Sequence, residues 1–292
     1  MEYKRVLTIQ DISCLGQCSL TVALPILSTF GIETCILPSA ILSTHTAGFK
    51  GFTCLDLTEE IKKIISHWTK EKITFNAFYT GYLCNEKQIL IIKEMLNNLG
   101  KENAYKIIDP VMGDYGKLYP AFDEKYAKTM KSLCENADVI LPNLTEACYM
   151  VDYEYKEKYN AEYISKLLDK LNELNVKTII LTGISYRDGK TGVVVVDKGK
   201  REYYEHTKID ANFHGTGDIY SSVFVGAYLS GFSAYESAKK AADFIVSCIE
   251  NTLKDKSHWY GVKFEPLLLN LLHEKSKWYY VIILWLQLSN LS

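Results

Sequence analysis

Hydrophobic and polar positions follow two alternating patterns along the chain. Short runs of β-branched and other apolar residues predict strands, and these runs cover residues 6–9, 34–37, 77–80, 106–108, 139–141, 178–181 and 192–196. Stretches with apolar residues three and four positions apart predict amphipathic helices over residues 57–69, 86–99, 161–174, 217–229 and 234–253. Because strands that alternate with helices are typical of a mostly parallel sheet covered by helices, the pattern predicts an α/β fold.

The organisation of the chain favours one domain. There is no internal repeat, no low-complexity segment and no linker rich in Pro, Gly and Ser. We therefore expect a single domain over residues 1–275 and an atypical apolar tail over 276–292. The apolar run at 278–288 is shorter than the about 20 residues that cross a bilayer, so no membrane-spanning helix is expected there.

Composition narrows the class of function. A formal net charge of -2 at pH 7, with Lys and Arg scattered, argues against binding to nucleic acid. The 8 cysteines form no CxxC pair, so we expect reduced, buried thiols rather than a zinc site. Residues 1–5 lead directly into a strand and have too little apolar length for a signal peptide, which predicts a cytoplasmic protein.

The strongest local signal is a glycine-rich segment, His214-Gly215-Thr216-Gly217-Asp218, directly before an apolar helix. Glycines let backbone N–H groups approach an anion, and the N-terminus of a helix adds partial positive charge. Such a segment suits a transferring phosphoryl group, and Asp218 in the first turn is placed to accept a proton from an attacking hydroxyl group. The alternative is an ordinary helix start with Thr216 as the N-cap.

Two acidic segments follow strands. The first reads Asp-Pro-Val-Met-Gly-Asp from Asp109 to Asp114, and its two carboxylates are suited to holding Mg²⁺ and facing phosphates. The second, Leu-Pro-Asn-Leu-Thr-Glu, offers Asn143 to a phosphate and Glu146 to the outer shell of the metal. Each also fits a structural role, an Asp-Pro turn in the first and a helix start capped by Thr145 in the second. Ligands of open α/β sheets bind beyond the carboxyl ends of strands, where both segments are expected.

The order and spacing of these three motifs are similar to those of a known group of enzymes. Over about residues 4–270 the chain resembles the ribokinase superfamily and, within it, the pyridoxal/pyridoxamine kinase branch. Further marks of that branch lie at the ends of the first three predicted strands or just after them: Ile9-Gln10, Ser43-Thr44-His45-Thr46 and Thr80-Gly81-Tyr82-Leu83.

The resemblance implies a three-layer α/β/α fold with a mostly parallel central sheet and no separate lid domain. It implies ATP-dependent phosphorylation of the 5′-hydroxymethyl group of a B6 vitamer, namely pyridoxal, pyridoxine or pyridoxamine. ATP is the co-substrate, Mg²⁺ is the expected metal, and a monovalent cation is a further option. The family is usually homodimeric, and its partner is a small-molecule substrate rather than nucleic acid or a membrane.

Site residues carry over from the resemblance by position. It implies that Asp218 is the catalytic base and that the amides of Gly215, Thr216 and Gly217 form the anion hole. The residues expected beside nucleotide and metal are Asp109, Asp114, Asn143, Glu146 and Thr182, with Asp109 and Glu146 nearest the metal. The residues expected around the vitamer are Asp11, His45, Thr46, Tyr82 and Asp218.

One departure and three alternatives stay open. Many pyridoxal kinases have Ser where this chain has Asp11, and a carboxylate there would favour pyridoxamine. Hydroxymethylpyrimidine kinases share the late motifs, although the segment after the first strand is only partly of their Ser/Gly-rich kind. A sugar kinase is disfavoured because no insertion for a lid is evident. A non-catalytic relative that binds a vitamer or nucleotide is the remaining alternative, against which the intact Asp218 argues.

Overall fold

The computed structural model describes residues 3–211 and 213–272. The strands are Arg5–Ser13 (β1), Glu33–Leu42 (β2), Cys54–Asp56 (β3), Phe75–Thr80 (β4), Gly100–Ile108 (β5), Gly113–Asp114 (β6), Lys117–Leu118 (β7), Val139–Ile140 (β8), Thr178–Ile184 (β9), Lys190–Asp197 (β10) and Lys200–Thr207 (β11). The helices are Leu20–Thr29 (α1), Thr58–Lys70 (α2), Glu86–Asn98 (α3), Glu124–Cys134 (α4), Leu144–Met150 (α5), Ala161–Asn172 (α6), Thr216–Leu229 (α7) and Ala234–Thr252 (α8), with a 3₁₀ helix at Glu265–Leu271.

Nine strands form one sheet in the order β11-β10-β9-β8-β5-β4-β1-β2-β3. The neighbours from β9 through β8, β5, β4 and β1 to β2 are parallel, whereas β10, β11 and β3 join the two ends in antiparallel pairs. A short β6-β7 hairpin lies apart from the sheet. The predicted α/β class with a mostly parallel sheet is confirmed.

Helices cover both faces of the sheet. Alternate side chains of a strand point to opposite faces, so Leu7 packs into the core beneath α2 to α6 and Val6 into the core beneath α1, α7 and α8. Long apolar strands such as β9 are buried on both faces, as expected for a sheet between two helical layers. The three-layer α/β/α arrangement follows from this burial.

The register of the parallel strands brings their carboxyl ends to one edge. One row across the sheet consists of Ile9, Thr80, Ile108 and Ile140. The polar residues that follow these strands therefore meet at the same edge, where the sheet rules of α/β proteins expect ligands.

The hydrophobic pattern of the sequence did not predict several elements of the structure. Helix α1 contains Pro25 and buries five apolar side chains, so it lacks the polar face that marks an amphipathic helix. Strand β11 is an antiparallel edge strand of half-exposed side chains and reads as a polar segment. The predicted tail at 276–292 and the end of the predicted domain lie outside the described residues. Within those residues no helix is both long and apolar enough to cross a membrane.

Candidate active site

Helix α7 begins immediately after Gly215, which is its N-cap. Gly215 has φ 80° in the left-handed region, and a Cβ there would lie 1.9 Å from the backbone oxygen of Gln17. Both the backbone and the close approach require glycine. The alternative with Thr216 as the N-cap is wrong, since Thr216 is already helical and its hydroxyl donates a 3.4 Å hydrogen bond to the Phe213 carbonyl.

The space beside the start of α7 is open. A Cβ on Gly217 would meet no atom within 4 Å, and Gly217 is exposed. The first N–H groups of a helix have no partner within the helix, and the dipole adds positive potential at this end. The structure thus brings Gly215, Thr216 and Gly217 together as a cradle that a negatively charged group can occupy.

Asp218 lies in the first turn of α7 and is partly exposed. Burial of its carboxyl group raises its pKa to about 7, and the negative charge of Asp11 acts in the same direction. The Ser19 backbone N–H and the Cys18 thiol interact with the carboxylate and oppose that rise. A carboxylate with a pKa near neutrality is well matched to accepting a proton from an alcohol.

Asp109 follows β5 and is 6% exposed. The Ser221 hydroxyl donates a 2.6 Å hydrogen bond to its Oδ2. Burial raises the pKa of Asp109 to about 8, the Ser221 hydrogen bond opposes this, and the charge of Asp218 adds to it. Because Ser221 lies three residues after Asp218 on α7, one face of that helix carries the Asp218 carboxylate and the donor to Asp109.

Asn143 and Glu146 form a capping box at the start of α5. The Glu146 N–H donates to Asn143 Oδ1 at 2.9 Å, and the Asn143 N–H donates to Glu146 Oε2 at 2.9 Å. The Met112 N–H donates to Glu146 Oε1 at 3.1 Å, which ties the box to the segment after β5. The alternative with Thr145 as the cap is wrong. Burial first, and then the charge of Asp109, holds the pKa of Glu146 well above its usual range.

The Asp109 and Glu146 carboxyl groups fit a weakly held Mg²⁺. Within the described residues, no three side chains from His, Cys, Asp and Glu come together as a full metal cage. Mg²⁺ needs fewer protein ligands, because it binds through one or two carboxylates, waters and substrate phosphates. Burial raises the pKa of both carboxyl groups, and the charge of Asp109 raises the pKa of Glu146 further, so a cation beside them would relieve an unfavourable electrostatic site.

Asp114 and Thr182 lie next to the part of the site that Asn143 and Glu146 form. Asp114 lies in the exposed β6-β7 hairpin, and its own pKa is raised by burial of the carboxyl group while the Tyr115 N–H opposes the shift. Its charge reaches Glu146, but no hydrogen bond joins it to Asp109 in the described structure. Thr182 lies near the end of β9, pairs with Asn143 across the strands, and donates its N–H to the Pro142 carbonyl at 3.0 Å.

Asp11 and Tyr82 lie at the ends of β1 and β4. Asp11 is 5% exposed, and its carboxylate accepts hydrogen bonds from Ser13 at 3.0 Å and from Ser19 at 2.5 Å. Burial raises the pKa of Asp11, and the two serine hydroxyls oppose the shift. Tyr82 is half-buried with its ring 5.5 Å from that of Phe122, and the charge of Asp11 is among the groups that raise its pKa after burial.

His45 is buried, and both of its ring nitrogens contact backbone groups. Nδ1 accepts from the Ala47 N–H at 3.2 Å, so Nε2 carries the proton and donates to the Tyr260 carbonyl at 2.9 Å. A ligand can therefore meet His45 at its ring surface rather than at a free nitrogen. Its ring lies 5.4 Å from that of His214, which precedes Gly215. Thr46 is exposed in the loop after β2.

Three residues of this site carried no recognisable sequence signal. Ser19 and Cys18 approach Asp218 from the loop before α1, and Ser221 approaches Asp109 from α7. Ser221 lies within a run of small residues, which is a weak indication by itself. The contacts of Ser19 and Cys18 depend on how the loop folds over the sheet edge, and residue type does not reveal that.

Comparison with known proteins places the chain among kinases. The family model for phosphomethylpyrimidine kinase matches residues 24–262. A Bacteroides thetaiotaomicron protein with a provisional assignment as a phosphomethylpyrimidine kinase is 36% identical, with a TM-score of 0.89 over 93% of this chain and 94% of that chain. Another crystal form of that protein, with pyridoxal, is 36% identical with a TM-score of 0.87 over 92% of this chain and 96% of that chain.

Of two further relatives, one is a pyridoxal kinase and the other is a pyrimidine kinase. Pyridoxal kinase from Lactobacillus plantarum is 27% identical, with a TM-score of 0.86 over 92% of this chain and 96% of that chain. The hydroxymethylpyrimidine/phosphomethylpyrimidine kinase of Aquifex aeolicus is 25% identical over 198 residues, which cover 67% of this chain and 73% of that protein. The chain belongs to the phosphomethylpyrimidine kinase family, within the ribokinase-like superfamily that includes the pyridoxal kinases.

Proposed function

We propose that the protein is an ATP-dependent kinase that phosphorylates the 5′-hydroxymethyl group of a B6 vitamer, for vitamin B6 salvage. The observation that carries this proposal is Asp218, whose carboxyl group has a pKa of about 7 and lies beside the open N-terminus of α7. A base and an anion cradle on adjacent residues are the two parts that phosphoryl transfer to an alcohol requires.

In the proposed reaction, Asp218 accepts the proton of the substrate hydroxyl group as its oxygen attacks the γ-phosphorus. The bond between that phosphorus and the β,γ-bridging oxygen breaks, and ADP leaves. The amides of Gly215, Thr216 and Gly217 face the charge on the transferring group. Mg²⁺ held near Asp109 and Glu146 would neutralise phosphate charge. In this proposal Asp114, Asn143 and Thr182 contact the nucleotide.

Support for a B6 vitamer comes from the substrate side. The 36% identical Bacteroides protein has a crystal form with pyridoxal, and the 27% identical Lactobacillus protein is a pyridoxal kinase. In this chain the ring-bearing residues His45 and Tyr82 lie near the carboxylate of Asp11, an arrangement suited to a polar aromatic ring. The second candidate is a hydroxymethylpyrimidine kinase, which the family model and the Aquifex relative favour.

An ATP-dependent substrate panel tests the proposal. Pyridoxal, pyridoxine, pyridoxamine and hydroxymethylpyrimidine are each supplied with MgATP, and ADP release is measured together with the phosphorylated product. We expect the highest kcat/KM with a B6 vitamer. A higher value with hydroxymethylpyrimidine would replace the proposal with the second candidate, and vitamer binding without ADP release would indicate a non-catalytic binding protein.

The matched variants are Asp218→Asn and Asp169→Asn. Removing the base should lower kcat by about 10²-fold or more, whereas Asp169 lies in an exposed ion pair with Arg201 and its change should leave kcat unaltered. Near-normal turnover by Asp218→Asn would contradict the role given to Asp218. The homodimer, the monovalent cation and the cytoplasmic location remain predictions, and sedimentation of the purified protein tests the first.

A further inference from the structure

Ser19 occupies an unusual position directly before α1. It is 5% exposed, has φ 53° and ψ -127°, and makes no side-chain hydrogen bond to the helix that it precedes. A serine at this position normally caps the helix with its hydroxyl oxygen, and a non-glycine residue with such a φ is strained. Ser19 therefore departs from two local preferences at once, which is typical of a residue whose conformation is imposed by a functional site.

The side chain of Ser19 contacts one carboxylate of the site. Its hydroxyl donates a 2.5 Å hydrogen bond to Oδ1 of Asp11. The Ser13 hydroxyl donates to the other oxygen of Asp11 at 3.0 Å, so this buried carboxylate is held by two serines. Hydrogen bonds to an ionised group are the stronger kind and fix its orientation.

The backbone of Ser19 contacts the other carboxylate. Its N–H interacts with the side chain of Asp218, next to the thiol of Cys18. Its carbonyl accepts from the N–H groups of Val22 and Ala23 at 3.0 and 2.9 Å, which anchors the residue to the first turn of α1. One residue thus joins a rigid helix to two carboxylates that come from distant parts of the chain.

We propose that Ser19 is a positioning residue for phosphoryl transfer, because it holds the Asp11 and Asp218 carboxylates at a fixed spacing through its hydroxyl and its backbone N–H. The inference rests on the proposed function of Asp218 as the base and adds a residue to that site. The loop that carries Ser19 is itself fixed against the anion cradle, since the Gln17 carbonyl lies where a Cβ of Gly215 would be.

The two contacts of Ser19 have a joint consequence. Its hydroxyl favours the charged form of Asp11, and that charge favours the protonated form of Asp218. Loss of the hydroxyl should let Asp11 take up a proton more readily, which removes a negative charge near the base and leaves its carboxylate less basic. The titratable groups that face Asp218 are Asp11, Cys18, Tyr79, Asp109 and Tyr119.

Two variants remove the hydroxyl while keeping the backbone N–H. Ser19→Ala keeps the Cβ, and Ser19→Gly also relieves the positive φ. For both we expect kcat to fall about tenfold, with KM for ATP and for the vitamer within about twofold of wild type. Both variants lose a donor to the buried Asp11 carboxylate, but only Ser19→Gly relieves the positive φ, so Ser19→Gly should melt above Ser19→Ala, and an equal loss of kcat in the two variants cannot then come from unfolding.

Lys198→Gly is the matched control, since Lys198 also has a positive φ, 50°, but lies exposed in the turn between β10 and β11. It should show the effect of replacing a positive-φ residue by glycine without the loss of a buried donor, and kcat should not change. Turnover of the wild type on the substrate panel decides the proposed function separately. The positioning role is wrong if the Ser19 variants keep kcat within about twofold of wild type. It is also wrong if the variants raise KM and leave kcat unchanged.

A measurement that needs no turnover tests the same inference. Carboxyl carbons of ¹³C-labelled aspartate are titrated by NMR, with the Asp218 signal identified from Asp218→Asn. We expect the pKa of Asp218 to be lower in Ser19→Ala than in wild type. An unchanged or higher pKa would overturn the link through Ser19, even in a protein that phosphorylates none of the substrates tested.

Discussion

The Ser221 hydroxyl donates a 2.6 Å hydrogen bond to Oδ2 of Asp109 across 112 positions of sequence. This contact fixes α7 against the end of β5. Because Asp218 lies one turn earlier on α7, the same contact helps to set the distance between the proposed base and the buried carboxyl group of Asp109. This hydroxyl group therefore links α7, which carries Asp218, to the segment after β5, which carries Asp109.

Removing that hydroxyl should destabilise the fold. Ser221→Ala leaves one oxygen of a buried carboxyl group without its donor, so we expect the free energy of unfolding to fall by about 1–2 kcal/mol. Urea denaturation measures the change. Ser222→Ala is the control, because the neighbouring hydroxyl has only a 3.5 Å contact with the Tyr79 hydroxyl. An equal loss in both variants would mean that the bond to Asp109 has no special importance.

The parts of the site that lie close in sequence could be predicted, and the parts that meet across the fold could not. Gly215 and Asp218 belong to one segment, and Asp109 follows a strand whose apolar pattern is clear. Ser19 and Ser221 act on partners far away along the chain, so their hydroxyl groups look like those of any other serine. The sequence could not separate two roles for Asn143 and Glu146. A capping box and a phosphate site place the same residue types at the same spacing.

The helices also divide into those that the local sequence predicts and those that depend on contacts across the fold. Amphipathic helices such as α2 and α6 have a polar and an apolar face, and their predicted bounds agree with the structure to within a few residues. Helix α1 is apolar on most sides and includes Pro25, so no periodic signal marks it. Its burial against β1 and α7 is what makes it a helix, and such tertiary support overrides local propensity.

The activity should depend on pH through Asp218. Its pKa is raised to about 7, so the carboxylate needed as a base is depleted below that pH and kcat/KM should rise as pH increases through it. Asp11→Asn removes a negative charge that raises this pKa, and the rise in kcat/KM should move to lower pH. Rates between about pH 5 and pH 9 measure the shift. Asp11 is not among the groups that shift the pKa of Asp109, so an unmoved profile would contradict the assignment to Asp218.

The two glycines around the start of α7 should respond differently to alanine. Gly215→Ala places a Cβ 1.9 Å from the Gln17 oxygen at φ +80°, so we expect the free energy of unfolding to fall by about 2 kcal/mol or more. Gly217→Ala meets no atom within 4 Å and gains helix propensity, so its stability should be equal or higher.

The Gly217→Ala variant should nonetheless lose turnover, because its methyl group would occupy the space beside the amides that face the transferring phosphoryl group. Thermal melting and kcat of both variants test this contrast. Wild-type kcat in a stable Gly217→Ala protein would argue that the anion does not bind at this end of α7.

Asp11 should influence which B6 vitamer is preferred. Its buried carboxylate carries a charge that can attract the amino group of pyridoxamine, whereas a serine would offer only a neutral hydroxyl. We expect Asp11→Ser to lower kcat/KM for pyridoxamine relative to pyridoxal and pyridoxine by about tenfold, the scale of one charge-assisted hydrogen bond. The ratio isolates this effect, since the change in basicity of Asp218 acts on all three substrates alike.

Ser13→Ala is the control, because it removes a donor to Asp11 at 3.0 Å but keeps the charge of Asp11. Equal ratios in the wild type, in Asp11→Ser and in Ser13→Ala would show that Asp11 does not select the substrate.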